Sequence, residues 1–538
     1  MKTDKTGMFD TPLAAFGQAL GHGHVLTEAG ALARYGWCTI PVQRRIAAVL
    51  RPGSVEEVQQ LVRIAVAHRV ALYPISTGNN WGYGSALPIR ADNVVVDLGR
   101  MNRIVDVNTE LAYAVLEPGV TQQQLYDHLQ EHHIALRLNP TGAGPGRSIL
   151  GNTLERGFSI GPYGDHFLAQ CGMEVVLATG EILRTGLGHY PDAKAAYLFK
   201  WGVGPYLDGL FTQSNFGIVT KIGVWLMPTP ESFEACYFGC NSEEQLGALI
   251  DAMREMMFVG VFRGPINLLH RNRVLIMLDR YPWQEMGGQT PLSESLAQRL
   301  AAERKIGLWN GVGAICGTRE QVKAAKQTIK RILKGKVDRL NFLSDSRLEL
   351  LRRFPTLLGS LMNLNVPELL KTLQGSYGLL KGVPTEIALS LAYWRNRRPR
   401  SAAVDVNPAR DNCGLMWFSP VIPITKDDVF AFRRIVEPIL AKHTFEACLT
   451  FTALNERCFD CTLPLLYDKD DPSEVAKAQA CYQELVDRCR EQGYVAYRLG
   501  LQSMQAETAR DDVFWTVATK LKAALDPDGI LAPGRYAR

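Results

Sequence analysis

Several common signatures are missing from this chain, and each absence removes a class of function. There is no Cys-x-x-Cys-His run, so no haem would be attached to this polypeptide. Eleven cysteines include a single Cys-x-x-Cys, Cys458-Phe-Asp-Cys461, with no second pair and no nearby histidine to complete a metal site; reduced, mostly structural thiols are expected. Residues 1–7 contain no apolar signal core, and no stretch is long and charge-free enough to span a bilayer, so the expected setting is cytoplasmic and away from membranes. Charge is also nearly balanced. A formal +5, from 59 basic against 54 acidic residues, is too little over this length to imply a nucleic-acid partner, and the densest basic run, Arg395-Asn-Arg-Arg-Pro-Arg400, reads as a solvated loop.

What is present is glycine placed between polar residues. The stretch Pro74-Ile-Ser-Thr-Gly-Asn-Asn-Trp-Gly-Tyr-Gly84 comes after the short apolar run Val70-Ala-Leu-Tyr73. Gly, Ser, Thr and Asn let successive backbone N–H groups turn toward an anion, which makes the loop a candidate diphosphate cradle. No Gly-Lys-Ser/Thr comes after it and its spacing is not Gly-x-Gly-x-x-Gly, so neither a Walker loop nor a classical dinucleotide fold is indicated. A plain surface turn is the competing reading. A second glycine-rich segment, Thr141-Gly-Ala-Gly-Pro-Gly-Arg-Ser-Ile-Leu-Gly-Asn152, tips the balance toward a long ligand with more than one polar group to hold.

The chain, at 538 residues, is too long for one ordinary core, and its 46% hydrophobic and 21% charged residues describe a globular protein of two domains. Residues before about Ala47 read as a leader wrapped on the surface. Ser54 and Glu57 then form a capping box for a helix whose apolar face is Val55, Val58, Leu61, Ile64 and Ala65. Val94-Val-Val-Asp-Leu98 and the run 112–119 read as strands, Thr121 caps a helix through His133, and 172–181 is a hairpin with a Thr-Gly turn. Short elements alternate in an α+β pattern. From about Glu231 charged helical patterns appear at 243–257 and 318–333; residues near 340–400 are the least readable.

These segments carry a resemblance. Gly82-Tyr-Gly84, Ser148-Ile-Leu-Gly-Asn152, Tyr163-Gly-Asp-His166, Gly172-Met-Glu-Val-Val-Leu177 and Ser214-Asn-Phe-Gly-Ile-Val-Thr220 resemble the flavin-binding domain of the vanillyl-alcohol oxidase and para-cresol methylhydroxylase family, and the likeness resumes at Gly493-Tyr-Val-Ala-Tyr-Arg498 and 526–535. The resemblance implies a two-domain FAD-binding fold of the para-cresol methylhydroxylase type: residues 1–229 binding FAD, 230–490 forming an α+β cap, and 491–538 returning to the first domain. It implies FAD held by Pro74, Ser76, Thr77, Gly78, Asn79, Asn80 and Gly82, by Thr141, Gly142, Ser148, Gly151, Asn152 and Gly157, and by Tyr163, Gly164, Gly217, Val219 and Arg535. His166 is expected to be structural.

The resemblance also places Tyr83, Tyr497 and Arg498 where the family binds a para-substituted phenol as phenolate. A guanidinium would fix the charge and two hydroxyls would donate to the same oxygen. The implied reaction takes 4-alkylphenols or 4-hydroxybenzylic alcohols and ethers through a para-quinone methide, which is then hydrated, dehydrogenated further or tautomerised. Two departures from the family pattern stand out. Where members tether FAD, this chain has Phe459 or Asp460 and no histidine, so non-covalent FAD is expected, with Cys458 or Cys461 as the lesser option. Where an aspartate would stand near the flavin, the chain has Ala143; Glu456 and Asp460 are the candidate bases by position. The acceptor is molecular oxygen or a cytochrome c partner, and the family implies a homodimer. Two rivals remain: an oxidase of the wider superfamily acting on a non-phenolic alcohol, and a flavin-binding protein that has lost turnover.

Overall fold

The computed structural model describes residues 10–353, 375–399 and 405–537; residues 1–7, expected to hold no signal core, and Arg400 of the basic run lie outside them. Three sheets carry the architecture. In the first, Ile46–Leu50, Asn93–Asp97 and Leu72–Ile75 run parallel, with Val25–Leu26 added antiparallel at the edge. Val94, Val95 and Val96 are buried on both faces, as β-branched residues in a central parallel strand must be. The second sheet is antiparallel, in the order Ile104–Asn108, Tyr113–Leu116, Ile218–Trp225, Gln170–Val176, Ile182–Arg184. Its Gln170–Val176 and Ile182–Arg184 strands form the expected hairpin, turning at Gly180 with φ 80°.

The third sheet has eight antiparallel strands, all between Ser232 and Asp468. The helices Glu244–Phe258, Arg319–Leu333, Lys426–Lys442 and Pro472–Glu491 cover one face, and the contact makes the largest apolar core of the molecule. Strand alternation decides the other face. Phe451 and Ala453 point into that core with Phe459, Cys461 and Leu463 of the neighbouring strand, so Thr450, Thr452, Asp460 and Thr462 must point the opposite way. The chain end returns to the first sheet, where Leu72 bridges Leu531 and the buried Lys522 ammonium binds the Asn215 and Leu531 carbonyls.

Three sequence expectations are corrected. The segment before Ala47 is not a surface leader: Phe16, Cys38 and Ile40 are buried, and Thr39 Oγ1 accepts the Gly82 N–H at 2.8 Å. Ser54 does cap the helix Val55–His68, but Glu57 accepts from the Gly53 N–H, one residue earlier than a capping box requires. Arg395 is not solvated. It is 1% exposed and ion-paired with Glu446 at 3.0 Å, while Arg397 and Arg398 remain half-exposed.

Candidate active site

A cavity of about 520 Å³ lies between the glycine-rich loops and the free face of the eight-stranded sheet. Its floor is mostly backbone and short side chains. Pro74, Ser76, Thr77, Gly78, Asn79 and Asn80 line one stretch; Thr141, Gly142, Ser148, Gly151, Asn152 and Gly157 line the next; Gly217, Val219 and Arg535 close the side. The two loops are tied together, since the Ser148 N–H donates to Thr77 Oγ1 at 3.3 Å. Gly82, Tyr163 and Gly164 do not line the cavity. Gly82 packs on Trp417, where a Cβ would lie 2.3 Å from the indole Cδ1; Gly164 packs on Pro265; Tyr163 is 37% exposed.

The roof is made of side chains from distant parts of the sequence: Arg273, Trp417, Thr450, Thr452, Asp460 and Thr462. Asp460 is 3% exposed and its Oδ1 has no hydrogen-bond partner among the described residues. Burial raises its pKa to about 8, with Arg498 pulling the other way, so the carboxyl is neutral at pH 7. Glu456 is not brought to the cavity. It sits in the turn between the Thr450–Ala453 and Cys458–Asp468 strands, ion-paired with Arg457. Phe459 and Cys461 face the core on the far side of the sheet, and Cys458 is bonded to Asn455, so none of the three meets the cavity.

Tyr83, Tyr497 and Arg498 converge where floor meets roof. Ser419 organises the two tyrosines: its Oγ is 3.1 Å from the Tyr83 hydroxyl, and its carbonyl accepts the Tyr497 N–H at 3.1 Å. The Arg498 guanidinium lies over the Tyr83 ring at 4.4 Å and donates to Asn80 Oδ1 at 2.6 Å and Glu155 Oε2 at 3.2 Å. Burial pushes both phenols well above the usual tyrosine range, so both hydroxyls stay protonated and able to donate. Tyr497 is not on a strand and its arginine is not a surface residue; Arg498 and Glu155 are each 10% exposed. Glu155, which also pairs with Arg535, escaped the sequence reading although it stands inside the 151–157 segment. His166 is half-buried with Nδ1 2.5 Å from Asn152 Oδ1, and desolvation lowers its pKa to about 4; it props the floor from behind.

Comparisons with known proteins agree with this geometry. Residues 46–186 match the FAD binding domain family, and residues 392–536 the C-terminal domain of FAD linked oxidases. The chain is 41% identical over 532 residues to 1'-carboxy-chondrochloren decarboxylase of Chondromyces crocatus, covering 99% of this chain and 98% of that one. It is 32% identical over 542 residues to the 4-cresol dehydrogenase [hydroxylating] flavoprotein subunit of Pseudomonas putida, covering 98% and 95%. The chain belongs to the vanillyl-alcohol oxidase and para-cresol methylhydroxylase family. Its fold matches that of 4-ethylphenol oxidase from Gulosibacter chungangensis, solved with isoeugenol, with a TM-score of 0.88 at 28% identity over 99% of this chain and 97% of that one.

It is an FAD-linked oxidoreductase of two-domain, para-cresol methylhydroxylase-type fold. The residues present fit that cofactor. Asn215 Oδ1 and Asn267 Oδ1 are buried without partners among the described residues, and both residues line the cavity, one from each wall, as expected of groups that a polar ligand completes. A Cβ on Gly151 would strike Ser76 Oγ at 2.3 Å, so the floor has its depth only because glycine stands there.

Proposed function

We propose that this protein oxidises para-substituted phenols, such as 4-alkylphenols or 4-hydroxybenzylic alcohols and ethers, at the carbon attached to the ring. The observation that carries this reading is the convergence of Tyr83, Tyr497 and Arg498 on one end of the cavity. Two protonated hydroxyls and one guanidinium there would bind a phenolate oxygen and lower the phenol's pKa. The charge so developed reaches the para carbon through the ring. FAD, when bound, supplies the acceptor for the hydride that leaves the benzylic carbon, and the substrate is left as a para-quinone methide.

The fate of that quinone methide depends on the protein's acids and bases. Glu155 is committed to Arg498 and Arg535, and the only other carboxyl lining the cavity, among the described residues, is Asp460. With a pKa near 8, its ionised fraction, which grows as pH rises toward 8, can take a proton from the attacking water, so it is the candidate base for hydration. We also infer that FAD is held without a covalent bond, because no histidine or cysteine is among the described lining residues and the lining tyrosines, Tyr73, Tyr83 and Tyr497, lie outside the cap strands where members carry a histidine or tyrosine tether. The acceptor is oxygen or a cytochrome c on another chain, and the assembly a homodimer, by analogy with the family.

Anaerobic mixing of the flavin-loaded protein with a 4-alkylphenol tests the reading. Bleaching of the oxidised flavin band is expected; a band unchanged by phenols but bleached by a non-phenolic alcohol would replace it with the wider-superfamily alternative. Acid precipitation should leave the yellow colour in the supernatant, and colour in the pellet would show a tether. A second outcome for the quinone methide is favoured by Ala143, which stands where the family pattern would put an aspartate. Loss of a carboxyl group from the side chain would restore the aromatic ring without water or base, consistent with the name of one relative.

A further inference from the structure

Among the described residues, four guanidinium groups line the cavity, Arg147, Arg273, Arg498 and Arg535, against two carboxyl groups, Glu155 and Asp460. Three of the four are accounted for by the chain itself. Arg498 and Arg535 share Glu155. Arg147 donates to the Ala143 and Val406 carbonyls and lies in the field of Asp405 and Glu386. Arg273 has no such counterweight. It is 8% exposed, and no carboxylate among the described residues pairs with it. Its Nε donates to Thr450 Oγ1 at 3.0 Å and its guanidinium carbon stands 5.6 Å from the Trp417 ring, while Nη1 is buried with no hydrogen-bond partner among the described residues.

A buried cation left in this state is costly unless a ligand brings the missing anion. Burial lowers its pKa to about 10, which leaves the group charged at neutral pH. Its place along the roof is set by strand register. Thr450 pairs with Thr462 and Thr452 with Asp460, so Thr450, which holds Arg273, is the diagonal neighbour of Asp460, about 7–8 Å away. Arg498 acts on the Asp460 carboxyl from the phenol end. Trp417 bridges the two arginines, touching Gly82 beside Tyr83 and facing Arg273.

We propose that Arg273 anchors a carboxylate carried on the para side chain of the substrate, so that the cavity takes a ligand with anions at both ends, phenolate and carboxylate. The preferred class is then the 4-hydroxyphenyl alkanoic and alkenoic acids, above neutral 4-alkylphenols. This rests on the phenol reading of the Tyr83, Tyr497 and Arg498 cluster. The bound cofactor is a second source of negative charge, and the experiment separates the two.

The test uses oxidised, flavin-loaded protein and two ligands without an sp3 benzylic hydrogen to lose, 4-hydroxycinnamate and 4-hydroxycinnamamide, titrated by flavin difference absorbance. The wild type is expected to bind the acid at least about tenfold more tightly than the amide, the usual worth of a hydrogen-bonded charge pair. Arg273→Met should bring that ratio to about one, and Arg273→Lys should retain part of the preference, which also guards against a misfolded Met variant. The same ratio in wild type and Arg273→Met would overturn the proposal. So would a Met variant that loses FAD on gel filtration while Arg273→Lys keeps it, since the guanidinium's charge would then serve the cofactor. If neither ligand perturbs the bound flavin of the wild type, the phenol reading itself fails and the anchor falls with it.

Discussion

The two walls of the cavity are built by opposite means. The floor is local in sequence: segments 74–80 and 141–157 supply most of it, and they work through bare backbone and short polar groups. The roof is assembled from Arg273, Trp417, Thr450 and Asp460, which meet only because strands far apart in the chain pair in one sheet. A wall of backbone can hold a ligand that every relative shares, whereas a wall of side chains can be changed one residue at a time. The cofactor would therefore be fixed by the floor and the substrate by the roof.

The sharpest way to break this division is at the corner where the walls meet. Arg498→Ala should lower phenol kcat/KM by about a hundredfold to ten-thousandfold, the kinetic equivalent of removing one partner from a buried charge pair. FAD content should survive, because Glu155 keeps Arg535. Steady-state kinetics with flavin quantitation checks both; unchanged kinetics would remove the phenolate role. Next comes the backbone itself. Gly82→Ala places a Cβ 2.3 Å from Trp417 Cδ1 at a φ of 73°, so it should cost about 2–5 kcal/mol from the left-handed backbone and the overpacking together, read as a lower thermal midpoint. A neutral result there would mean that the roof yields to the floor more easily than its packing suggests.

A smaller effect belongs to the roof. Asp460 keeps its proton to about pH 8, while in an unfolded chain an aspartate loses it near pH 4. The folded state thus binds a proton that the unfolded state lacks across that window, and its stability falls as pH rises through it. Asp460→Asn removes the titration. The variant should be more stable than wild type at pH 9 by about 1–3 kcal/mol, the usual cost of a poorly satisfied buried polar group, with the difference shrinking toward pH 5. Thermal midpoints from pH 5 to 9 measure this, and parallel curves for the two proteins would refute it.

The same contrast explains what could be read from sequence. The floor was legible because glycine, serine, threonine and asparagine at short spacing state their backbone requirement locally. The convergence of Tyr83, Tyr497 and Arg498 was legible through the family motifs, although nothing in the sequence showed that Glu155 would lie between Arg498 and Arg535. The roof was not. Glu456 and Asp460 looked equivalent by position, and only the pairing of Thr452 with Asp460 shows that one faces the cavity while the other sits in a turn. Arg273 lies in a run, His270-Arg-Asn-Arg273, that reads as a polar helix start; its burial depends on Thr450, far along the chain. The segment before Ala47 misled for a related reason: Leu13, Phe16 and Leu20 do repeat at helical spacing, but only the folded first sheet shows what that face covers.

The smallest expected effect lies behind the floor. His166 binds Asn152 Oδ1 and stands 3.4 Å from Asn139 Nδ2, so it acts as a neutral brace for a residue that lines the cavity. Its pKa is held down to about 4 by burial, against about 6.5 in an unfolded chain. Between those values the unfolded state binds a proton that the folded state refuses. The stabilisation is therefore complete above about pH 6.5 and is lost as pH falls toward 4. His166→Gln retains a hydrogen-bonding side chain but cannot titrate, so its thermal midpoint should fall less steeply than wild type from pH 6.5 to 4.5. At pH 8 the substitution should cost about 1 kcal/mol, one imperfectly replaced hydrogen bond. Since His166 does not line the cavity, phenol affinity should change much less than it does on substitution of Arg498. A large loss of phenol binding with FAD retained would mean that the floor also selects the substrate, and the division between the walls would have to be abandoned.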